Sequence, residues 1–266
     1  MAETVEFLVL VKAAPQPSAT YGDTVCVAGV LMGDRPSWIR LYPVPFRYMD
    51  GSQQFKKYDV VRVQIRDAGA DKRPESRKIN AESVEVRGHL GDWQSRSRWI
   101  EPLVGPTMCD LVRGAQLNLN ATSLAAVRPR RVHDRLRFDL HGPWTRAQQA
   151  KIDAISGQPD LFGDASTAPL TPPRFKASLR WRCSNPTCPS HTQRIIDWEL
   201  NALQRRYRDD EAIKSALTNN FLDRMFKANT DPLIYVGNQE DVARRAAFTI
   251  LGTYYPKIGA VQPELF

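Results

Sequence analysis

Residues 1–90 break into short runs of β-branched and aromatic residues, and this rhythm restricts the fold more than any other feature. The runs are Val5–Lys12, Thr24–Met32, Trp38–Tyr42, Val60–Arg66 and Val84–Arg87, separated by Pro, Gly, Asp and Ser. Val60–Arg66 alternates so that Val61, Val63 and Ile65 share one face, as in a half-buried strand. Many short strands at this spacing read as a small barrel or a strongly curved sheet. Two helices are expected next, Asp92–Leu103 and Thr107–Asn118, the second with Thr107 as N-cap and Asp110 at N3. Val127–Leu140 reads as extended, and Trp144–Ser156 as a helix capped by Thr145.

Residues 157–173, GQPDLFGDASTAPLTPP, carry no apolar period and read as a flexible linker. A strand follows (Phe175–Arg182), then a helix Gln193–Arg208 striped by Ile196, Leu200, Leu203 and Tyr207. A helix Glu211–Lys227, strands Leu233–Val236 and Phe248–Tyr254, and a tail complete the chain. The expected class is α+β. A β-rich, barrel-like domain spans 1–156, the linker 157–173, a small zinc-stapled α+β domain 174–257 and the tail 258–266.

Cys183, Cys188 and His191 form a C-x4-C-x2-H turn between a strand and a helix. Two thiolates and an imidazole within nine residues suit Zn²⁺, which takes tetrahedral S and N ligands. A domain this small also gains from a staple. Asp197 is the nearest fourth ligand; Cys26, Cys109 and His133 are remote ones. The alternative is two free thiols and a surface histidine. With water in the fourth position the site becomes catalytic, Asp197 or Glu199 serving as base.

The chain carries 37 Lys+Arg against 29 Asp+Glu, a net charge of +8. Six arginines and two acids fall within 121–146, which is +4 and half of the excess. Arg128, Arg130, Arg131, Arg135 and Arg137 thus form a stripe suited to phosphates. A second group, Arg40 and Arg47 within Trp38–Arg47 followed by Lys56 and Lys57, interleaves cations with aromatics. It reads either as a stacking surface for bases or as core. No apolar run approaches the ~18–20 residues of a membrane span. The acidic N-terminus lacks a basic n-region, so a cytoplasmic protein with few, reduced cysteines is expected.

Gln158-Pro159-Asp160-Leu161-Phe162 in the linker is repeated as Gln262-Pro263-Glu264-Leu265-Phe266 in the tail. Both resemble the peptide by which bacterial replication and repair proteins dock on the β sliding clamp. The resemblance implies that Gln158 and Gln262 hydrogen-bond the clamp pocket. Leu161 with Phe162, and Leu265 with Phe266, would fill its apolar subsite. Pro at the second position departs from the usual Leu. The blocks Trp38–Arg47, Cys183–Leu200 and Leu233–Asn238 resemble uncharacterised bacterial proteins and assign no residue roles.

The expectation is a non-enzymatic adaptor that binds nucleic acid, DNA before RNA, stapled by zinc and recruited to the clamp. The alternatives are a metal-dependent nuclease using Asp197 and Glu199, and a PUA- or OB-like barrel that binds RNA or a modified base.

Overall fold

A computed structural model describes residues 2–15, 17, 24–130, 136–156 and 170–261. Six strands form the first sheet: β1 (Glu3–Lys12), β2 (Val25–Leu31), β3 (Ser37–Val44), β4 (Asp59–Asp67), β5 (Ser76–Ile79) and β6 (Glu85–His89). Their order is β1-β2-β3-β5-β4-β6, and a further β1–β4 pairing closes five of them into a barrel. The closed barrel bears out the expectation drawn from the short runs. β4 shows the expected alternation, with Val61, Val63 and Ile65 buried beside Phe7, Val9 and Ile39 in the barrel core.

β1 faces two cores. Phe7 and Val9 point into the barrel, whereas Leu8 and Leu10 join a separate cluster with Leu124, Leu233, Tyr235 and Leu251. Burial on both faces explains why the strand is a continuous apolar run. The second cluster is the seam between the barrel and the rest of the chain.

Helices α1 (Trp93–Ile100) and α2 (Met108–Leu117) follow the barrel. The expected cap of α2 is a full capping box between Thr107 and Asp110. Then come β7 (Leu124–Val127), β8 (Leu136–Leu140), α3 (Arg146–Ser156), β9 (Phe175–Trp181), β10 (His191–Ile195), α4 (Trp198–Gln204), α5 (Asp210–Thr218), β11 (Leu233–Asn238) and β12 (Phe248–Tyr254). The second sheet runs β7-β11-β12-β10-β9-β8. Thr145 caps α3 as expected, accepting from the Gln148 N–H at 3.2 Å. Among the described residues, no helix is long and apolar enough to cross a membrane.

Three expectations need correction. β7 and β8 precede 157–173 yet share a sheet with strands that follow it, so that segment lies within the sheet's chain path and marks no boundary between sheets. The sheets change instead between β6 and β7. The helix expected over Gln193–Arg208 is β10 followed by α4. β-branched Thr192 and Ile195 extend the antiparallel pairing with β9, and Asp197, accepting from the Glu199 N–H at 2.8 Å, starts the helix later. The helix expected to Lys227 ends at Thr218 and passes into one π turn, Asn219–Asp223.

Candidate metal centre and nucleic-acid interface

Asn185 organises the turn after β9. Its side-chain oxygen accepts from the Thr187 N–H (2.9 Å) and its carbonyl from the Cys188 N–H (3.1 Å). Ser190 takes a φ of 92°, in the left-handed region, and leads into His191, which sits opposite Trp181 with ring centroids 5.7 Å apart. Cys183 and Cys188 are buried. The fourth member is Cys109, in the first turn of α2, with its Sγ 3.5 Å from His191 Nε2 and 3.6 Å from Cys183 Sγ. Cys188 Sγ lies 3.3 Å from the same nitrogen, and all four donor atoms fall within 4.8 Å of one another.

Tetrahedral geometry at a Zn–S distance of about 2.3 Å puts two sulfurs about 3.8 Å apart, close to the spacing here. The Cys109/Cys183/Cys188/His191 group is therefore placed to hold a metal ion. Burial, with Cys183 and Cys188 adding to it, pushes the Cys109 thiol up to about 12. Burial also acts upward on Cys183, but hydrogen bonds from the Cys109 and Asn185 backbone and from His191 bring it down to about 6.

Asp197 is not the fourth ligand. One carboxylate oxygen caps α4, and the other lies so near Gly252 that a Cβ there would sit 3.4 Å from it. With four side chains already around the point, an open site using Asp197 or Glu199 as base is not formed there. Cys26 is half-buried in β2, and His133 lies outside the described residues.

The cations expected to meet phosphate fall into distinct places. Arg40 is corrected outright. It is buried, and its guanidinium donates to Ser123 Oγ (2.8 Å) and O (3.0 Å) across the seam. A side chain on Gly237 would meet Arg40 Nη2 at 3.1 Å and Leu251 at 2.6 Å, so this crossing requires glycine. Burial lowers the Arg40 guanidinium to about 10. Arg128 pairs with Asp231 and, at 3.3 Å, with Glu101. Arg130 is exposed, its N–H donating to the Arg182 carbonyl (2.7 Å). Arg131 and Arg135 lie outside the described residues, as do Gln158, Leu161, Phe162, Gln262, Leu265 and Phe266. The Trp38–Arg47 aromatics are packed: Trp38 edges Tyr235 at 5.8 Å, and Phe46 edges Phe55 at 5.0 Å. Arg47 is half-buried and shares a small depression with Trp198 and Arg205.

Arg137 belongs to a larger feature. Its register partner is Ser178, which also pairs with Arg194, while Arg180 pairs with Thr192. Residues paired across a sheet share a face. Arg137, Lys176, Arg180, Arg182 and Arg194 therefore project from the outer face of β8-β9-β10 and the chain just beyond β9, with Asp139 as the acid among them. The opposite face carries buried Leu136, Phe175, Ala177, Leu179 and Trp181. The signal for this face was present in the alternation of residues 175–182.

Lys56 and Lys57 lie in a cleft of about 600 Å³ at the seam, between the end of β1, the 56–58 turn, α1, α4 and β12. Lys56 is exposed, whereas Lys57 Nζ donates to the Thr253 carbonyl at 2.7 Å. Burial acts to lower Lys57, but Tyr58, Glu199 and Asp197 together raise it above the ordinary lysine value. Burial raises Asp197 to about 7, with Lys57 pulling down and Glu199 pushing up. Lys12 donates to the Phe55 carbonyl at 3.0 Å and lies over the Phe46 ring at 4.2 Å; burial lowers it despite Glu199 and Asp197.

A closed barrel joined through a buried seam to a six-stranded sheet with a Cys3His centre defines a two-part α+β protein. A domain of unknown function (DUF8758) matches residues 3–102, and a domain of unknown function (DUF8757) matches residues 104–266. The second match covers more than half of the chain, and the chain belongs to that family. The point between the two matches is where the structure passes from one sheet to the other. No curated protein matches the sequence.

Proposed function

We propose that this protein binds nucleic acid, DNA in the first instance, on the outer face of β8-β9-β10. The observation that carries the reading is the row of Arg137, Lys176, Arg180, Arg182 and Arg194 on one sheet face, answered by Asp139 alone among acids on those positions. Side chains on alternate positions of adjacent strands give a flat array of cations at strand spacing, which suits a phosphate backbone and carries no base code. Zinc is the ion assigned to the Cys3His group, because three thiol ligands and an imidazole at tetrahedral spacing suit it best. Its place beside β9 and β10 makes it the staple of that face. The protein acts in the cytoplasm as an adaptor, and the QPDLF and QPELF peptides recruit it to the β sliding clamp.

Fluorescence anisotropy with DNA and RNA oligonucleotides of matched sequence tests the face. Replacing Arg180 and Arg194 together by alanine should weaken binding about equally across sequences and reduce the salt slope by about two. Unchanged affinity and slope would remove the face from the reading. On the same preparation, a purified clamp should retain the wild type. It should lose a variant lacking 262–266 and carrying Leu161→Ala and Phe162→Ala; equal retention sinks the clamp assignment.

A further inference from the structure

The cleft at the seam is separate from the sheet face, and its composition is unlike it. Its walls carry rings from both halves. Trp93, at the start of α1, packs on Tyr254 (5.4 Å) and tilts against Tyr255 (6.4 Å). Trp198, at the start of α4, edges Phe46 at 5.5 Å. Both indoles also line the cleft and are half-buried, so part of each ring faces the opening. Lys57 and Glu199 supply a half-buried donor and an exposed acceptor on the wall. Lys56 and Arg206 stand exposed at its edge and have no side-chain partner among the described residues. Tyr58, in the same lining, is held at a φ of 70° by hydrogen bonds from its N–H to Val9 (2.7 Å) and from the Leu90 N–H to its carbonyl (2.9 Å). Non-glycine residues in the left-handed region are uncommon and gather at ligand sites.

From this arrangement the geometry points to a binding site for a nucleoside phosphate, with the planar base against the Trp93 and Trp198 rings and the phosphate on Lys56 and Arg206. The volume is that of a small-molecule site, and aromatic rings share its lining with charged groups. Stacking tolerates any base, because every base has a π-face, while Lys57 and Glu199 offer one donor and one acceptor to its edge. Lys56, Lys57, Tyr58 and Trp93 lie within 3–102, whereas Trp198, Glu199 and Arg206 lie within 104–266, so the site exists only where the two matched regions meet in one chain.

Titrating the full chain with AMP, GMP, CMP and UMP, followed by calorimetry and tryptophan fluorescence, tests this. At least one nucleotide should bind and quench emission. The matching nucleoside should bind more weakly, and inorganic phosphate should leave emission unchanged. Trp198→Ala should weaken binding by about tenfold or more, the range for one base–aromatic stack. Arg206→Glu, an exposed change that leaves packing intact, should weaken it comparably without changing oligonucleotide affinity. The proposal is overturned if no nucleotide binds, if phosphate alone competes as well as the nucleotide, or if Arg206→Glu and Trp198→Ala both bind as the wild type. Loss of oligonucleotide binding in Arg180→Ala/Arg194→Ala with nucleotide binding intact separates the two sites.

Discussion

The Cys3His centre and the seam cleft are both assembled from segments far apart in sequence, and each contains a non-glycine residue at positive φ, Ser190 in one and Tyr58 in the other. Such a conformation costs on the order of 1–3 kcal/mol, so both places hold backbone that the surrounding structure must enforce. They differ in where their polar atoms point. In the Cys3His centre the four donor atoms face one another around a single position. In the cleft, cations at the edge face solvent, and only those deeper in, Lys12 and Lys57, bond to carbonyls of the protein. The first arrangement is complete once an ion is added, which suits a scaffold. The second leaves charge and aromatic surface available, which makes it a place for a ligand.

The contrast breaks most severely if the Cys3His centre is not a staple. Stripping metal with a chelator, or Cys109→Ser, should lower stability by about 4 kcal/mol where the free ion stands a thousandfold above its dissociation constant. The readout is thermal unfolding with metal content measured by mass spectrometry. An unchanged melting temperature after verified metal loss would show that β9 and β10 hold the turn unaided.

The seam should respond next. Arg40→Ala removes the donors to Ser123 Oγ and O, leaving buried acceptors beside Glu75, whose carboxylate already accepts from the Ser123 hydroxyl (2.5 Å) and N–H (2.9 Å). A cost of about 3 kcal/mol is expected from the lost charge-assisted bonds and unpaired acceptors. Urea unfolding should show the barrel and the second sheet separating into two transitions. One transition with the wild-type midpoint would mean that the apolar seam alone joins them.

The smallest effect is a pH dependence. The Asp197 carboxyl sits at about 7 in the folded protein, above its ordinary value. Between about pH 4 and pH 7 the folded chain therefore keeps a proton that the unfolded chain has released, and stability falls as pH rises. Asp197→Asn retains the cap of α4 and removes the titration. It should flatten the profile, by on the order of 2 kcal/mol between pH 5 and pH 8. Parallel profiles for the two proteins would show that Lys57 keeps Asp197 ionised throughout.

Legibility in the sequence followed the range of the interaction. β4 and α2 were readable because alternation and a capping box are written in adjacent residues. β5, Ser76–Ile79, was not, because a four-residue strand with buried Ser76 has no apolar period. The stripe of Ile196, Leu200, Leu203 and Tyr207 suggested a longer helix, but Ile196 belongs to the seam and Tyr207 is exposed. Three members of the Cys3His group were legible from spacing within one turn. Cys109 was only one of several remote candidates, since 74 residues separate it from Cys183 and only the packing of α2 against β9 and β10 joins them. The cleft was invisible for the same reason, its rings coming from strand and helix ends that meet only at the seam.

One clasp has a further consequence. The His141 N–H donates to the Arg174 carbonyl at 3.0 Å, and Trp144 Nε1 to the Leu170 carbonyl at 2.8 Å. The chain thus leaves the second sheet after β8 and re-enters it at β9, its paired neighbour. Between fixed ends, closure entropy grows only with the logarithm of chain length, so doubling it costs about 0.6 kcal/mol. Here the chain can evolve cheaply. A change of chain length between Trp144 and Leu170 therefore leaves the register of Arg137, Ser178 and Arg194 as it is.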